Sequence, residues 1–284
     1  MIIVLVLMMF MSFSYYVVDT YSRVNSANRI VVSVYQKQQA YYVASSVFEV
    51  VKLLLEIDDK TVDTLKDSWA NPLNFEKDGV KVEVTIYDEN RYVNLNGVKD
   101  PHYRKVVENL FTNLNISPSY LERLLVWVGK KDGYISDRYP PKKKDLDSLY
   151  ELQFIGLKDE DMLGKMVSNT FYPGLLSTST VYTQGRININ TAPIWVLMSL
   201  DEKINQPLAS KIVDHRSKNP FKTVNDLVLV EGFNFDILYR IQNFIDVKSD
   251  VFHIRIKVFV GDTLMQVDYV YSRSSKQVLY VEII

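Results

Sequence analysis

The chain opens on MIIVLVLMMFMSFSYYVV, 18 residues without a charged side chain. As a helix this stretch would run about 27 Å at about 1.5 Å per residue. A bilayer's hydrocarbon core is roughly 30 Å thick. A buried core helix has the same composition. A cleaved signal peptide needs a basic start and a small-residue cut site, and this stretch offers neither. The expectation is a membrane anchor over 1–18. Apolar positions continue beyond it. Val24, Ala27, Val31, Val34, Tyr41, Phe48 and Leu55 fall on steps of three, four or seven, which is one helical stripe. No proline or glycine occurs before Pro72. The pattern predicts one unbroken helix of about 58 residues. Its first third lies in the membrane, and its remainder packs on this chain's own sheet or on a neighbouring helix.

The period then changes from helical to alternating. After the turn signal Lys77-Asp78-Gly79, the segment VKVEVTIY alternates apolar with polar, as a half-buried strand does. The pattern returns near the end as FHIRIKV, MQVDYVY and VLYVEI, separated by Gly261-Asp262 and Ser272–Ser275. Three hairpin-connected antiparallel strands are expected, sharing one sheet with the first. Between these strands the chain reads as helical and repeats itself. RYVNLNGV (91–98) resembles RININTAP (186–193), YLERLLVWV stands beside LASKIVDHR, and LDSLYELQFIG beside VNDLVLVEGF. The predicted class is α+β: a long N-terminal helix packed on a small antiparallel sheet, with a large inserted all-α domain made of two similar helical units. The expected boundaries are 1–18 for the anchor, 19–97 for the helix and first strands, 98–185 and 186–246 for the two units, and 247–284 for the closing strands. The second unit reads as SAM-like or helix-hairpin-helix-like.

Composition removes several chemistries. There are 33 basic and 34 acidic residues among 284, so no global charge draws the chain to nucleic acid or anionic lipid. The absence of cysteine excludes disulfides and thiolate chemistry. No phosphate-binding glycine loop, G-x-S-x-G elbow or H-E-x-x-H helix occurs. His102, His215 and His253 are far apart, and His215 beside Arg216 suits a helix C-terminus. Asp88-Glu89 reads as a solvated strand end. The loop VGKKDGYISDRYPPKKKDLD offers Asp132 and Asp137 as calcium candidates, but lysines are interleaved with its acids and EF-hand spacing is missing. Asn94, Asn96, Asn188 and Asn190 stand in short strands before helical stretches, with Thr191 or Asn190 placed to cap a helix. They are read as staples to the backbone where sheet meets helix.

The stretch LASKIVDHRSKNPFKTVNDLVLVEGF (208–233) has the cadence of a helix-hairpin-helix module, which holds phosphate on main-chain N–H groups at a glycine-containing hairpin. Gly232 is its one glycine, and residues 186–246 carry seven positive and seven negative side chains. A neutral unit gains little from counterion release.

Taken together, the anchor running into a long helix, VNLN after a strand, ININTAPIWVLMSL, HRSKNPFKTVNDL and the closing KSDVFHIRI resemble the general secretion pathway protein K family over nearly the whole chain. These are minor pseudopilins of type II secretion systems. The resemblance implies a pilin-like fold with a large helical insert, no enzymatic activity, and no nucleic-acid partner. It also implies a place at the tip of a periplasmic pseudopilus, with the I- and J-type minor pseudopilins and the secretion machinery as partners. A single pass through the inner membrane would leave the C-terminal body in the periplasm. Tip subunits lack the glutamate that pilins carry near the mature N-terminus, and Met1–Val18 holds no acid. The family's basic leader and cut site do not stand ahead of this span. The family's acidic calcium loop follows a W-I-D-like stretch, where this chain has WVGKKDG, so no calcium ligand is carried over. The alternatives are a minor pilin of a type IV pilus and a membrane-anchored DNA-binding or uptake protein.

Overall fold

The computed structural model describes residues 2–136 and 138–284. It begins with α1 (Ile2–Ile57), a single helix of 56 residues. What stops it is local bonding by the next acids: the Asp59 carboxylate accepts from the Thr61 N–H at 2.9 Å and the Thr61 hydroxyl at 2.8 Å, which competes with continued helix. A hairpin of β1 (Leu73–Lys77) and β2 (Val80–Asp88) follows. Its turn puts Asp78 at φ 52° and Gly79 at φ 76°, the positive pair that a tight two-residue hairpin requires.

The insert comes next, with β3 (Val93–Asn94), α2 (Pro101–Asn113), α3 (Ser119–Trp127), α4 (Asp159–Leu163), β4 (Gly164–Val167), β5 (Thr170–Pro173) and β6 (Ser179–Thr180). It continues through β7 (Ile187–Asn188), α5 (Ile194–Leu200), α6 (Gln206–Lys218), α7 (Phe235–Ile241) and β8 (Ile245–Asp246). The chain then closes with β9 (Val251–Val260), β10 (Thr263–Ser272) and β11 (Gln277–Ile283). The main sheet is antiparallel, in the order β1-β2-β9-β10-β11. β2 and β9 are direct neighbours, with Asp88 opposite Phe252. The insert therefore leaves and re-enters at one end of the sheet.

Two separate cores result. In the first, Ala40, Ala44, Phe48, Val51 and Leu55 of α1 are buried against β2, β9 and β10. The two alanines let the helix approach the sheet closely. Phe48 stacks on Tyr269 at 4.0 Å between ring centroids and meets Tyr271 edge-on at 5.9 Å, geometries that aromatic pairs favour. The second core fills the insert and runs from Val93 to Val247.

The expected stripe is only partly used. Phe48 and Leu55 are buried, whereas Val24, Val31, Val34 and Tyr41 are exposed. The sheet spans only the last third of α1, so among the described residues nothing covers the rest. The pattern also gave no sign of β1. All five of its residues are exposed, so no buried face imposes alternation on an edge strand of this kind. The insert is mainly helical and carries, in addition, the short pairs β3–β6, β4–β5 and β7–β8.

The insert's repetition is structural. Each half starts with a two-residue strand paired in parallel to a two-residue strand at its own end, β3 with β6 and β7 with β8. Two α-helices follow in each. Then comes a 3₁₀ stretch, Leu149–Ile155 in one half and Val224–Leu229 in the other. A short helix, α4 or α7, leads to the closing strand.

Candidate assembly surfaces and the joint that positions them

The paired asparagines make the same bonds in both halves. The Asn94 side chain accepts the Asn96 N–H, and the Asn188 side chain accepts the Asn190 N–H at 2.9 Å in each case. The second asparagine then grips one residue further along. Asn96 Oδ1 accepts the Leu146 N–H at 2.7 Å while its Nδ2 donates to the Leu146 carbonyl at 3.0 Å. Asn190 Oδ1 accepts the Phe221 N–H and its Nδ2 donates to the Phe221 carbonyl, both at 2.9 Å. An amide side chain carries one donor face and one acceptor face, so it can replace a missing strand partner for a single residue. The following turn also repeats. Glu151 accepts the Asp147 N–H and Asp226 accepts the Lys222 N–H, each at 2.8 Å.

At the joint between insert and sheet, Asp88 and Glu89 are buried, contrary to the solvated strand end expected from the sequence. The reason is tertiary, since four segments converge there. Asp88 Oδ2 accepts from the Ser249 hydroxyl at 2.6 Å, the Thr191 hydroxyl at 2.5 Å and Asn188 Nδ2 at 3.3 Å, while Oδ1 accepts the Asn90 N–H at 2.7 Å. Burial pushes this carboxyl up from its ordinary range, and the Ser249 and Thr191 hydroxyls and the Asn90 N–H oppose that rise. Asn188 Nδ2 also donates to the Asp63 carbonyl at 3.0 Å and to Ser249 Oγ at 2.8 Å. The network ties the end of β2, the second helical unit, the α1–β1 loop and the approach to β9. A fully satisfied polar cluster of this kind fixes one relative placement of its parts.

In the second helical unit four of the seven positive side chains are engaged within the chain, Arg186, Lys211, Arg216 and Arg240, while Lys203, Lys218 and Lys222 are exposed. Arg216 is buried and donates to the carbonyls of Ile189 at 2.5 Å and Ala192 at 2.6 Å. Burial pulls its guanidinium down to about 10. It thus fastens α6 to the RININ segment and is not offered to solvent. The neighbouring His215 stacks on Phe221 at 5.1 Å. The link between α5 and α6, where a phosphate-gripping hairpin would lie, carries Asp201 and Glu202. Asp201 accepts from Arg240 at 2.5 and 3.0 Å. Burial would raise its carboxyl, but the guanidinium outweighs this and holds it below the usual range.

Uncovered apolar surface is concentrated on the helix and beside it. α1 contains one apolar stretch long enough to cross a membrane, with mean hydropathy 2.1 and none of it buried. Further along, Val32, Tyr35, Tyr42, Val50 and Leu53 are exposed. At the sheet edge, Val281 and Ile283 lie opposite Tyr269 and Val267, on the face that meets α1. They stay 46% and 53% exposed because α1 lies over β9 and β10 and stops short of β11.

Asp132 is exposed and belongs to no group of converging carboxylates, and Asp137 lies outside the described residues. Asp145 pairs with Lys99, and Asp147 with Lys142 at 2.7 Å. Among the described residues the carboxylates that do converge are Asp58, Asp63 and Asp67. They lie in the connection between α1 and β1. A D-x4-D-x3-D spacing directly after a helix end was the available signal.

Comparison with known proteins adds three findings. Residues 183–246 match the helix-hairpin-helix motif family. The endonuclease/exonuclease/phosphatase family domain-containing protein 1 of Mus musculus is 42% identical over 67 residues, which are 23% of this chain and 12% of that protein. Its Rattus norvegicus counterpart is 41% identical over 66 residues, 23% of this chain and 11% of that protein. The chain thus spans about an eighth of the length of the curated relatives it matches. Among solved structures, a chain of the GspK–GspI–GspJ complex of the enterotoxigenic Escherichia coli type 2 secretion system superposes with a TM-score of 0.68. The overlap takes in 89% of this chain and 98% of that one, at 16% identity. That span is too long to omit the insert, so the likeness in fold covers helix, sheet and insert together.

Proposed function

We propose that this chain is a minor pseudopilin acting at the tip of a type II secretion pseudopilus, a structural component of protein export. The observation that carries the reading is the extent of the fold likeness, 98% of a chain from a complex of K, I and J subunits. The uncovered length of α1 supports it, since Val24, Ile30, Val31, Val32 and Val34 and the apolar residues Val281 and Ile283 of β11 are exposed. On this reading I- and J-type subunits lay their own long helices against that surface. The Ile2–Val18 stretch sits in the inner membrane, the body lies in the periplasm, and the insert caps the tip where no further subunit is added. The full-length chain in detergent, mixed with the host's I- and J-type minor pseudopilins, is expected to co-elute with both on size exclusion. Failure to co-elute with either one refutes the proposal.

The match to the helix-hairpin-helix family favours a second reading, a membrane-anchored DNA-handling protein. The electrostatics oppose it: Arg216 is spent on backbone carbonyls and the α5–α6 link is acidic. Titration against fluorescent duplex DNA at low salt separates the two. Salt-sensitive binding supports the second reading, and a flat titration removes it.

A further inference from the structure

Asp58, Asp63 and Asp67 each direct a carboxylate oxygen into one spot beside the C-terminus of α1, the three atoms lying within 4.8 Å of one another. Two of the carboxylate oxygens here are buried and meet no donor. Asp63 is wholly buried, and its Oδ1 has no hydrogen-bond partner. Asp58 Oδ2 is likewise buried and without a partner. Asp63 and Asp67 are fixed by other contacts. Asp63 Oδ2 accepts the Ser249 N–H at 2.6 Å and Arg273 at 2.7 Å. Asp67 is held in place by the Thr64 N–H at 2.7 Å, the Thr64 hydroxyl at 2.8 Å and the Trp69 indole N–H at 3.2 Å. These donors orient Asp63 and Asp67, and Arg273, the one cation among them, leaves the group with a net negative charge. Bare carboxylate oxygens removed from water are costly unless something cationic meets them.

We infer that Asp58, Asp63 and Asp67 bind a divalent cation of calcium size. Hard carboxylate oxygens on an irregular, half-open group favour calcium. Calcium takes its oxygens at about 2.3–2.6 Å, so ligands on opposite sides of the ion stand roughly 4.8 Å apart. The three oxygens here fall within that diameter. Magnesium, at about 2.0–2.1 Å, demands a near-ideal octahedron and gives up its waters reluctantly, which suits carboxylates held by three separate sets of contacts less well. The charge also balances. Three carboxylates and the Arg273 guanidinium sum to minus two, which a divalent ion cancels. Solvent and the rest of the shell can come from the exposed side, where Asp58 and Asp67 are only partly buried. The ion would clip the end of α1 to the loop that carries Thr64 and Trp69, and through Asp63 to Ser249 and Arg273. This is independent of the 130–147 loop and of any role in secretion.

Trp69 makes the inference directly testable. Its indole bonds the Asp67 carboxylate, so terbium bound here as a calcium surrogate will be excited through the tryptophan. The full-length chain in detergent, stripped with chelator, is titrated with terbium, then with calcium and magnesium as competitors, and its thermal midpoint is recorded alongside. Sensitised emission displaced by calcium at lower concentration than by magnesium, with a midpoint that rises with calcium, is the expected result. Asp67→Asn and Asp58→Asn should each weaken binding about tenfold or more, whereas Asp132→Asn should leave it unchanged. Trp69→Phe should abolish the emission but keep the calcium-dependent midpoint. Asp63 is not used, because its loss would also free Arg273. No emission and no midpoint shift at millimolar calcium overturns the inference. So does binding that persists in both the Asp58 and Asp67 variants.

Discussion

Replacing Asn190 by alanine removes the side chain that bonds both backbone groups of Phe221, at 2.9 Å each. Phe221 is fully buried and Asn190 is 3% exposed, so solvent does not reach the freed N–H and carbonyl. Each unpaired buried group costs about 1–3 kcal/mol, and a water entering the space left by the amide would return part of that. The expected cost is about 2–4 kcal/mol. Asn190→Asp should cost more, because it keeps the acceptor and turns a charge toward the Phe221 carbonyl. The equivalent Asn96→Ala frees Leu146 in the same way and serves as an internal comparison. Because the molecule has two cores, a single unfolding midpoint is not enough. Urea denaturation should therefore be combined with hydrogen exchange read by mass spectrometry. Loss of protection should centre on 186–246 for the Asn190 variants and on 93–180 for Asn96→Ala. A cost below about 1 kcal/mol, or protection lost evenly across both halves, would refute the claim that these amides stand in for a strand partner.

Three further outcomes follow from the packing. Phe48→Ala removes the ring stacked on Tyr269 and should destabilise the sheet core by about 3–4 kcal/mol, visible as exposure of β10 in exchange while the insert is unaffected. Gly97→Ala should disrupt the first helical unit, because a Cβ there would lie 2.3 Å from the Tyr103 ring, whose hydroxyl accepts the Asn94 N–H at 3.1 Å. A lower thermal midpoint for this variant, with the sheet intact, is the check. Burial pushes His253 down, but Asp268 and Glu89 outweigh it and hold its pKa at about 9. Its charged form therefore stabilises the fold fully below pH ~6.5, and that contribution fades as pH rises through about 9. The 3.5 Å spacing to Asp268 and the quarter-exposed ring reduce a ceiling of about 3 kcal/mol to about 1–2. The difference in urea midpoint between wild type and His253→Gln, followed from pH 6 to 10, should shrink as pH increases.

What the sequence made legible depended on whether the cause was local. The helix Ile2–Ile57 and the alternation of β2, β9 and β10 follow from periodicity in single segments, and both could be read directly. The twin asparagine motifs were visible as a repeat, but the residues they hold, Leu146 and Phe221, stand 50 and 31 positions away. No local pattern announces such partners. Asp88 failed as a reading for the same reason. A carboxylate ending a strand is normally solvated, and only the meeting of Thr191, Asn188 and Ser249 around it makes burial tolerable. Arg216 beside His215 was legible as a cation near a helix C-terminus, but the carbonyls of Ile189 and Ala192 that it binds stand 27 and 24 positions away.

The adjacency of β2 and β9 has a kinetic consequence. Ser249 reaches Asp88 across 161 positions. Were the intervening chain disordered, the length-dependent part of closing that loop would cost about 4–5 kcal/mol. The parallel pairing of β7 with β8 and the bonds of Asn188 to the Ser249 side bring those ends together once the insert is formed. The insert should therefore acquire its structure first and act as the template on which the sheet zips shut. Its integrity then sets how fast a newly made chain completes the sheet edge at β11 and the helix face beside it.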